Sequence, residues 1–279
     1  DERARRAGRA AAREATRSVP VSSEPSVAAF FDVDNTLLRG ASLFHLARGL
    51  YRRQFFSRRQ ISRFASQQLR FRLIGREDRD MMAAAQAAGL AFVAGHRVDE
   101  LVTLGEEIFD EVIAHKIWPG TRDLVEWHLE AGARVWLVTA TPVEVAQVIA
   151  KRLGLTGALG TVSVTVDGVY TGRLVGQPLH GIAKAEAVRA LAEREGLDLS
   201  ACSAYSDSSN DLPMLSLVGH PCAINPDRGL EAWARAHGWP VYDFRTGRKM
   251  ARVGLPVAAG LGATAGGTAA AMAARRRSR

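Results

Sequence analysis

The chain is 279 residues long, enough to bury a full core and to form one large domain with a smaller one beside it. Its two cysteines, Cys202 and Cys222, exclude a disulfide framework and a four-ligand zinc site; both sit in apolar, strand-like runs that suit buried thiols in a reducing, cytoplasmic interior. The net charge of +8 is concentrated at the ends: residues 1–20 carry +3 and residues 245–279 carry +8, leaving −3 for the body between them, which argues against nucleic acid as a partner of the folded part.

Residues 1–25 are rich in arginine and alanine, then in serine, proline and valine, with no apolar core of secretory length. They read as a basic N-terminal tail, helical in part. Ala28, Ala29, Phe30 and Phe31 then form a short continuous apolar run, which suits a strand buried on both faces of a parallel sheet. The run stops on Asp32 and Asp34, at the carboxyl edge where open α/β sheets bind ligands. Two carboxylates at i and i+2 repel each other unless a cation sits between them or one holds a proton. The plainer alternative is a turn in which Asp34 and Asn35 bond the local backbone.

From residue 41 to 117 the periodicity is helical. Leu43, Phe44, Leu46, Ala47 and Leu50 fit one helix; Ile61, Phe64, Ala65 and Leu69 fit a second; Val98, Leu101, Val102, Phe109, Val112 and Ile113 fit another. This is an all-helical insertion. Residues 48–80 within it carry a local charge of +7, mostly a solvated helix face, with the alternative that one or two arginines attract an anionic substrate.

Trp118, Pro119 and Gly120 punctuate a turn, residues 124–129 continue a helix, and residues 135–138 make a second buried strand. That strand runs into Thr139, Ala140 and Thr141, where Thr141 and Glu144 have capping-box spacing and Pro142 suits the first helical position. A helix starting there would set its free amides beside Thr139, an arrangement that holds phosphate; the alternative is that Thr139 only terminates a strand. Residues 161–166 and 169–174 flank Asp167-Gly168, a strong hairpin signal. On a helix over 181–195, Lys184 shares the inward stripe with Ala187, Val188 and Leu191, so its ammonium either snorkels past the core edge or meets a phosphate or carboxylate. The run 201–205 is a further strand, again leading into acids at a helix start, Asp207 and Asp211, with Ser208 or Ser209 as cap and Pro213 in the first turn. Residues 221–224 read as a strand and 230–236 as a helix.

Taken together, four segments in order resemble the haloacid dehalogenase superfamily, in its phosphoserine phosphatase-like branch. Asp32, Asp34 and Thr36 match the first motif, Thr139 the second, Lys184 the third, and Asp207 with Asp211 the fourth. The resemblance spans residues 28–244. It implies an α/β fold: a Rossmann-like parallel sheet with helices on both faces, formed by residues 26–40 and 118–248, and a helical cap over 41–117. It also implies a Mg2+-dependent phosphomonoester hydrolase acting on a small phosphorylated metabolite. Asp32 would be the nucleophile that forms an aspartyl-phosphate, and Asp34 would protonate the leaving oxygen and then deprotonate water. The carboxylates of Asp32 and Asp207 and the backbone carbonyl of Asp34 would hold Mg2+, with Asp211 and Asn210 supporting them. Thr139 and the amide of Ala140 would bind phosphate oxygens, and Lys184 would offset the charge.

Three departures stand out. Thr139 replaces the serine of many relatives, and Ser208 a usual glycine. Ala41 stands where the branch's phosphoserine phosphatases place a glutamate for the substrate's amino group, which argues against phosphoserine as substrate.

Beyond the core, residues 249–279 read as an Ala/Gly-rich basic tail. Within it, residues 253–274 are free of charge, long enough to span a bilayer, and hold Gly262 and Gly266 in GxxxG spacing. Nine alanines and five glycines favour instead a flexible low-complexity segment, with weak membrane association as the alternative. A different class of function stays open beside the enzyme: an adaptor that keeps this fold and meets a membrane or nucleic acid through its arginine-rich ends.

Overall fold

The computed structural model describes residues 1–17, 27–55 and 93–245. The strand expected at residue 28 is β1 (Ala28–Asp32), buried along its whole length. Such a strand needs a neighbour on each side, and it has them. β2 (Arg134–Pro142) pairs with it in parallel, setting Asp32 level with Val138, and β6 (Ser203–Ser206) pairs in parallel on the other side, setting Phe31 level with Tyr205. With β3 (Gly157–Thr161), β7 (His220–Ile224) and β8 (Val241–Tyr242) the sheet is six-stranded and parallel, in the order β3-β2-β1-β6-β7-β8.

Successive side chains of a strand leave on opposite faces, and Phe30 and Phe31 divide accordingly. Phe30 joins the cluster built from alanines and aliphatic residues that include Ala183, Ala187, Val188 and Leu191. Phe31 stacks on Tyr205 with ring centroids 4.3 Å apart and meets His128 edge-on at 6.0 Å. The first face is covered by α1 (Glu2–Ala15) and α6 (Ile182–Glu195). His128 belongs to α4 (Pro119–Glu130), which begins at Pro119, earlier than its apolar pattern predicts.

The helical insertion supplies α2 (Ser42–Arg52) and α3 (Val98–Ile108), the latter continued by a π-helical turn to Ile113. The helix expected at 61–69, most of the arginine run at 48–80 and the uncharged stretch at 253–274 lie outside the described residues. No helix among the described residues is long and apolar enough to cross a membrane.

Several expectations are corrected. Residues 2–15 are not a tail. They form a helix whose Ala4, Ala7, Ala11, Ala12 and Ala15 are buried in the main core while its arginines stay outside. Alanine gives a weak hydrophobic signal, so a stripe of five of them read as composition rather than as a face. Gly8 lies in that stripe because a Cβ there would come within 2.6 Å of the Glu186 carbonyl carbon.

The capping box is also absent. β2 runs on through Pro142, which is itself the N-cap of α5 (Val143–Arg152), and no side chain caps that helix. Thr141 spends its hydroxyl elsewhere, as described below. Finally, the stretch 161–166 is split: β3 ends in the main sheet at Thr161, and β4 (Ser163–Val166) pairs antiparallel with β5 (Val169–Leu174) in a separate ribbon. Its turn residues Asp167 and Gly168 have φ of 51° and 75°, the left-handed pair that a tight hairpin demands. β8 was not anticipated, being two residues long.

Candidate functional site

Because β1 lies between β2 and β6, the loops leaving the carboxyl ends of these three strands converge. Asp32 ends β1 at 5 % exposure, and its two oxygens have different partners. Oδ2 accepts from the Thr36 hydroxyl at 3.0 Å, and Oδ1 accepts from Lys184 Nζ at 2.5 Å. Lys184 projects from the first turn of α6 into this interior, and the same ammonium donates to Asp211 Oδ2 at 2.6 Å. Lys184 is therefore the counter-charge of two carboxylates, not a snorkelling lysine. Asp211 also accepts from the Ser206 hydroxyl at 2.8 Å, which ties it to the end of β6.

Asp207 follows β6 directly. Its Oδ1 lies 3.4 Å from the Thr36 hydroxyl, so Thr36 stands between Asp207 and Asp32. One hydroxyl hydrogen cannot satisfy both carboxylates. Burial, only partly opposed by Lys184, pushes the Asp32 carboxyl up to about 8, and Asp211, Asp207 and Asp34 add to the rise. Burial likewise raises Asp207 to about 6. Lys184 moves upward too: burial disfavours its charge, but Asp211 and Asp32 more than offset that. One ammonium among these acids leaves the cluster short of positive charge. Among the described residues no three or more histidine, cysteine or acidic side chains gather into a metal cage. The donor set is instead two carboxylates, Asp32 and Asp207, on either side of the Thr36 hydroxyl, which fits a hard dication that keeps some of its water or substrate ligands.

The Asp34 side chain turns a different way. Its Oδ1 accepts from the backbone N–H of Ser42 at 2.8 Å and from the Ser42 hydroxyl at 2.5 Å, at the start of α2. Ser42 Oγ is in turn 2.6 Å from Thr141 Oγ1. Thr139, 1 % exposed, donates from its hydroxyl to Thr141 Oγ1 at 3.2 Å and accepts from the Thr141 amide. Ala140 is half-buried and its carbonyl accepts from Thr161. α5 starts at Val143, one residue later than the spacing predicts, with Pro142 as its N-cap. Asn210 is exposed and bonds Ser208 through its backbone; among the described residues no side-chain bond ties it to the cluster.

Several residues here carry no motif. Ser42 and Ser206 are single buried hydroxyls without any sequence signal. Asn225 and Asp227 did offer one, since β7 runs into Asn-Pro-Asp just as β1 and β6 run into acids. Asn225, at φ 49°, donates from Nδ2 to the Asn35 carbonyl at 2.9 Å, and Asp227 accepts from the Ser209 amide at 2.8 Å while its own amide reaches the Asp207 carbonyl at 2.7 Å. They brace the two acid-bearing loops from behind.

Comparison with known proteins shows the family. The sequence model of the haloacid dehalogenase-like hydrolases matches residues 29–216. The chain is 59 % identical over 254 residues to a Mycobacterium tuberculosis protein named phosphoserine phosphatase SerB1, covering 91 % of this chain and 82 % of that one. Among solved structures, a Bordetella pertussis protein of unknown function shares 33 % identity at a TM-score of 0.68, covering 79 % of this chain and all of that one. A phosphoserine phosphatase in its apo form shares the fold at a TM-score of 0.53 and 17 % identity, over 79 % of this chain and 94 % of that one. Motif order, sheet topology and these matches coincide: the chain belongs to the haloacid dehalogenase-like hydrolase family.

Proposed function

We propose that this chain is a Mg2+-dependent phosphomonoester hydrolase working through an aspartyl-phosphate on Asp32. The observation that carries the reading is the meeting of three distant segments at Asp32: Lys184 at 2.5 Å, Thr36 between Asp32 and Asp207, and Asp211 on the far side of the lysine.

In this reading an Asp32 carboxylate oxygen attacks phosphorus, the ester P–O bond breaks, and Asp34 hands its proton to the departing oxygen. Water then attacks the phosphorus of the acyl phosphate, Asp34 takes that water's proton, and Asp32 is restored as phosphate leaves. Thr139 and the Ala140 amide hold phosphoryl oxygens, while Lys184 keeps Asp32 oriented and partly neutralised. The carboxylates of Asp32 and Asp207 and the Asp34 backbone carbonyl would hold Mg2+, with Asp211 behind them. When bound, the ion supplies charge compensation for the phosphoryl oxygens, the largest need in phosphoryl transfer.

The name of the Mycobacterium tuberculosis relative, phosphoserine phosphatase, supports a small phosphomonoester as substrate. Ala41, which offers no carboxylate to a substrate amino group, points away from phosphoserine itself. The test is turnover of p-nitrophenyl phosphate with and without Mg2+ by the parent and by Asp32→Asn. Mg2+-dependent turnover that the substitution abolishes supports the assignment; metal-independent turnover, or turnover that survives Asp32→Asn, refutes it.

A further inference from the structure

We propose that Ser42 is a positioning residue for proton transfer, fixing Asp34 so that Oδ2 is the oxygen that gives its proton to the leaving group. The inference rests on the phosphatase reading above and goes beyond it by assigning a role to a residue outside the four motifs.

The argument is one of hydrogen-bond direction. Ser42 is 1 % exposed and is the first residue of α2, the helix that opens the insertion. Its amide and its hydroxyl both donate to the same oxygen, Asp34 Oδ1, at 2.8 and 2.5 Å. Since the Ser42 hydrogen is committed to Asp34, Thr141 is the donor in the 2.6 Å contact with Ser42 Oγ, and the Thr139 hydroxyl donates to Thr141 at 3.2 Å. The Thr141 and Ser42 hydroxyls thus point in one sense and terminate on Oδ1, a direction that stays the same when the Thr139 hydrogen turns from Thr141 to a phosphoryl oxygen. A carboxyl oxygen that already accepts two hydrogen bonds is a poor place for a proton, so an acidic Asp34 carries its proton on Oδ2. Among the described residues no group bonds Oδ2. The same chain joins Asp34 to Thr139, the proposed phosphate ligand, through α2, so the acid is in place only when the start of the insertion is seated against β2.

A misplaced general acid harms a reaction in proportion to how much the leaving oxygen needs a proton. p-Nitrophenolate departs unaided, whereas the alkoxide of benzyl alcohol does not, and the two aryl-bearing substrates are of similar shape. The experiment compares kcat/KM for p-nitrophenyl, phenyl and benzyl phosphate in the parent, Ser42→Ala and Ser42→Thr, with thermal unfolding of each protein as a folding control. For Ser42→Ala the expected loss is about 10- to 100-fold on benzyl phosphate, intermediate on phenyl phosphate and below about threefold on p-nitrophenyl phosphate. Ser42→Thr, which keeps the hydroxyl, recovers most of the benzyl phosphate rate. Should Ser42→Ala unfold, Ser42→Cys, with its weak donor, is read in the same way. An equal loss on all three substrates, or no loss, overturns the positioning role while the parent's Mg2+-dependent turnover leaves the phosphatase reading intact. A folded parent inactive on all three overturns both.

Discussion

The first helix offers a test that needs no assumption about activity. α1 lies against α6 through Ala4, Ala7, Ala11, Ala12 and Ala15, and at the centre of that face Gly8 permits close approach. A Cβ at Gly8 would stand 2.6 Å from the Glu186 carbonyl carbon and 2.7 Å from the Ala187 nitrogen, both backbone atoms that no rotamer change can move. Gly8→Val must therefore push α1 outward. Overpacking of this kind costs about 1–3 kcal/mol when the surroundings yield. Full release re-exposes five methyl groups at about 0.8 kcal/mol each, about 4 kcal/mol before the partner face uncovered with them is counted, so displacement of α1 rather than its release is expected. Urea denaturation measures the stability, and brief trypsin digestion reads the helix itself: Arg9 and Arg13 are exposed as side chains, but a protease needs extended backbone to cut after them. Cleavage there should rise sharply in Gly8→Val and stay low in Arg13→Ala digested at Arg9. If Gly8→Val matches the parent in both stability and cleavage, the docking of α1 is wrong.

Other consequences follow from the buried polar groups. Lys184→Met leaves Asp32 and Asp211 without their ammonium, so unfolding free energy should fall by about 3–5 kcal/mol and phosphatase turnover should vanish, with Asp211→Asn in the same chain restoring part of the stability but not the turnover. His128, buried beside Tyr205 at 2.7 Å, is held down to about 4 by burial, while the unfolded imidazole protonates near 6.5. The unfolded chain therefore binds more protons between those values, and the histidine's contribution, complete above pH 6.5, is lost as pH falls to 4, about 3 kcal/mol in all. His128→Gln should flatten that slope in pH-dependent urea melts. Asn225→Ala removes bonds to the Asn35 carbonyl at 2.9 Å and from the Phe244 amide at 2.7 Å, and a loss of about 2 kcal/mol or more is expected by calorimetry.

The strands that carry the acids were legible because each is an apolar run with an abrupt polar end: Phe30 and Phe31 before Asp32, Ala204 and Tyr205 before Asp207. The inward position of Lys184 was legible from helical phase alone, and it is buried on the same helix face as Ala187 and Leu191. The start of α5 was misread because Thr141 and Glu144 satisfy a local rule, whereas a long-range partner, Ser42, takes the Thr141 hydroxyl. α1 was misread for the opposite reason: its packing is strong only because the partner face is flat enough for alanine, a property of α6 rather than of residues 2–15. Ser42 meets Thr141 across 99 residues, and no local pattern reports a bond of that span; the Asn-Pro-Asp after β7 marks Asn225 and Asp227 but not their partners Asn35 and Ser209.

The Thr36 hydroxyl touches Asp32 four positions earlier and Asp207 at a separation of 171 residues. A growing polypeptide thus exposes the β1 acids long before translation delivers either the lysine that neutralises them or the last acid-bearing strand. In the metal-dependent reading proposed above, any divalent-ion affinity would arise late in synthesis, when β6 slots in beside β1 and brings Asp207 to Asp32.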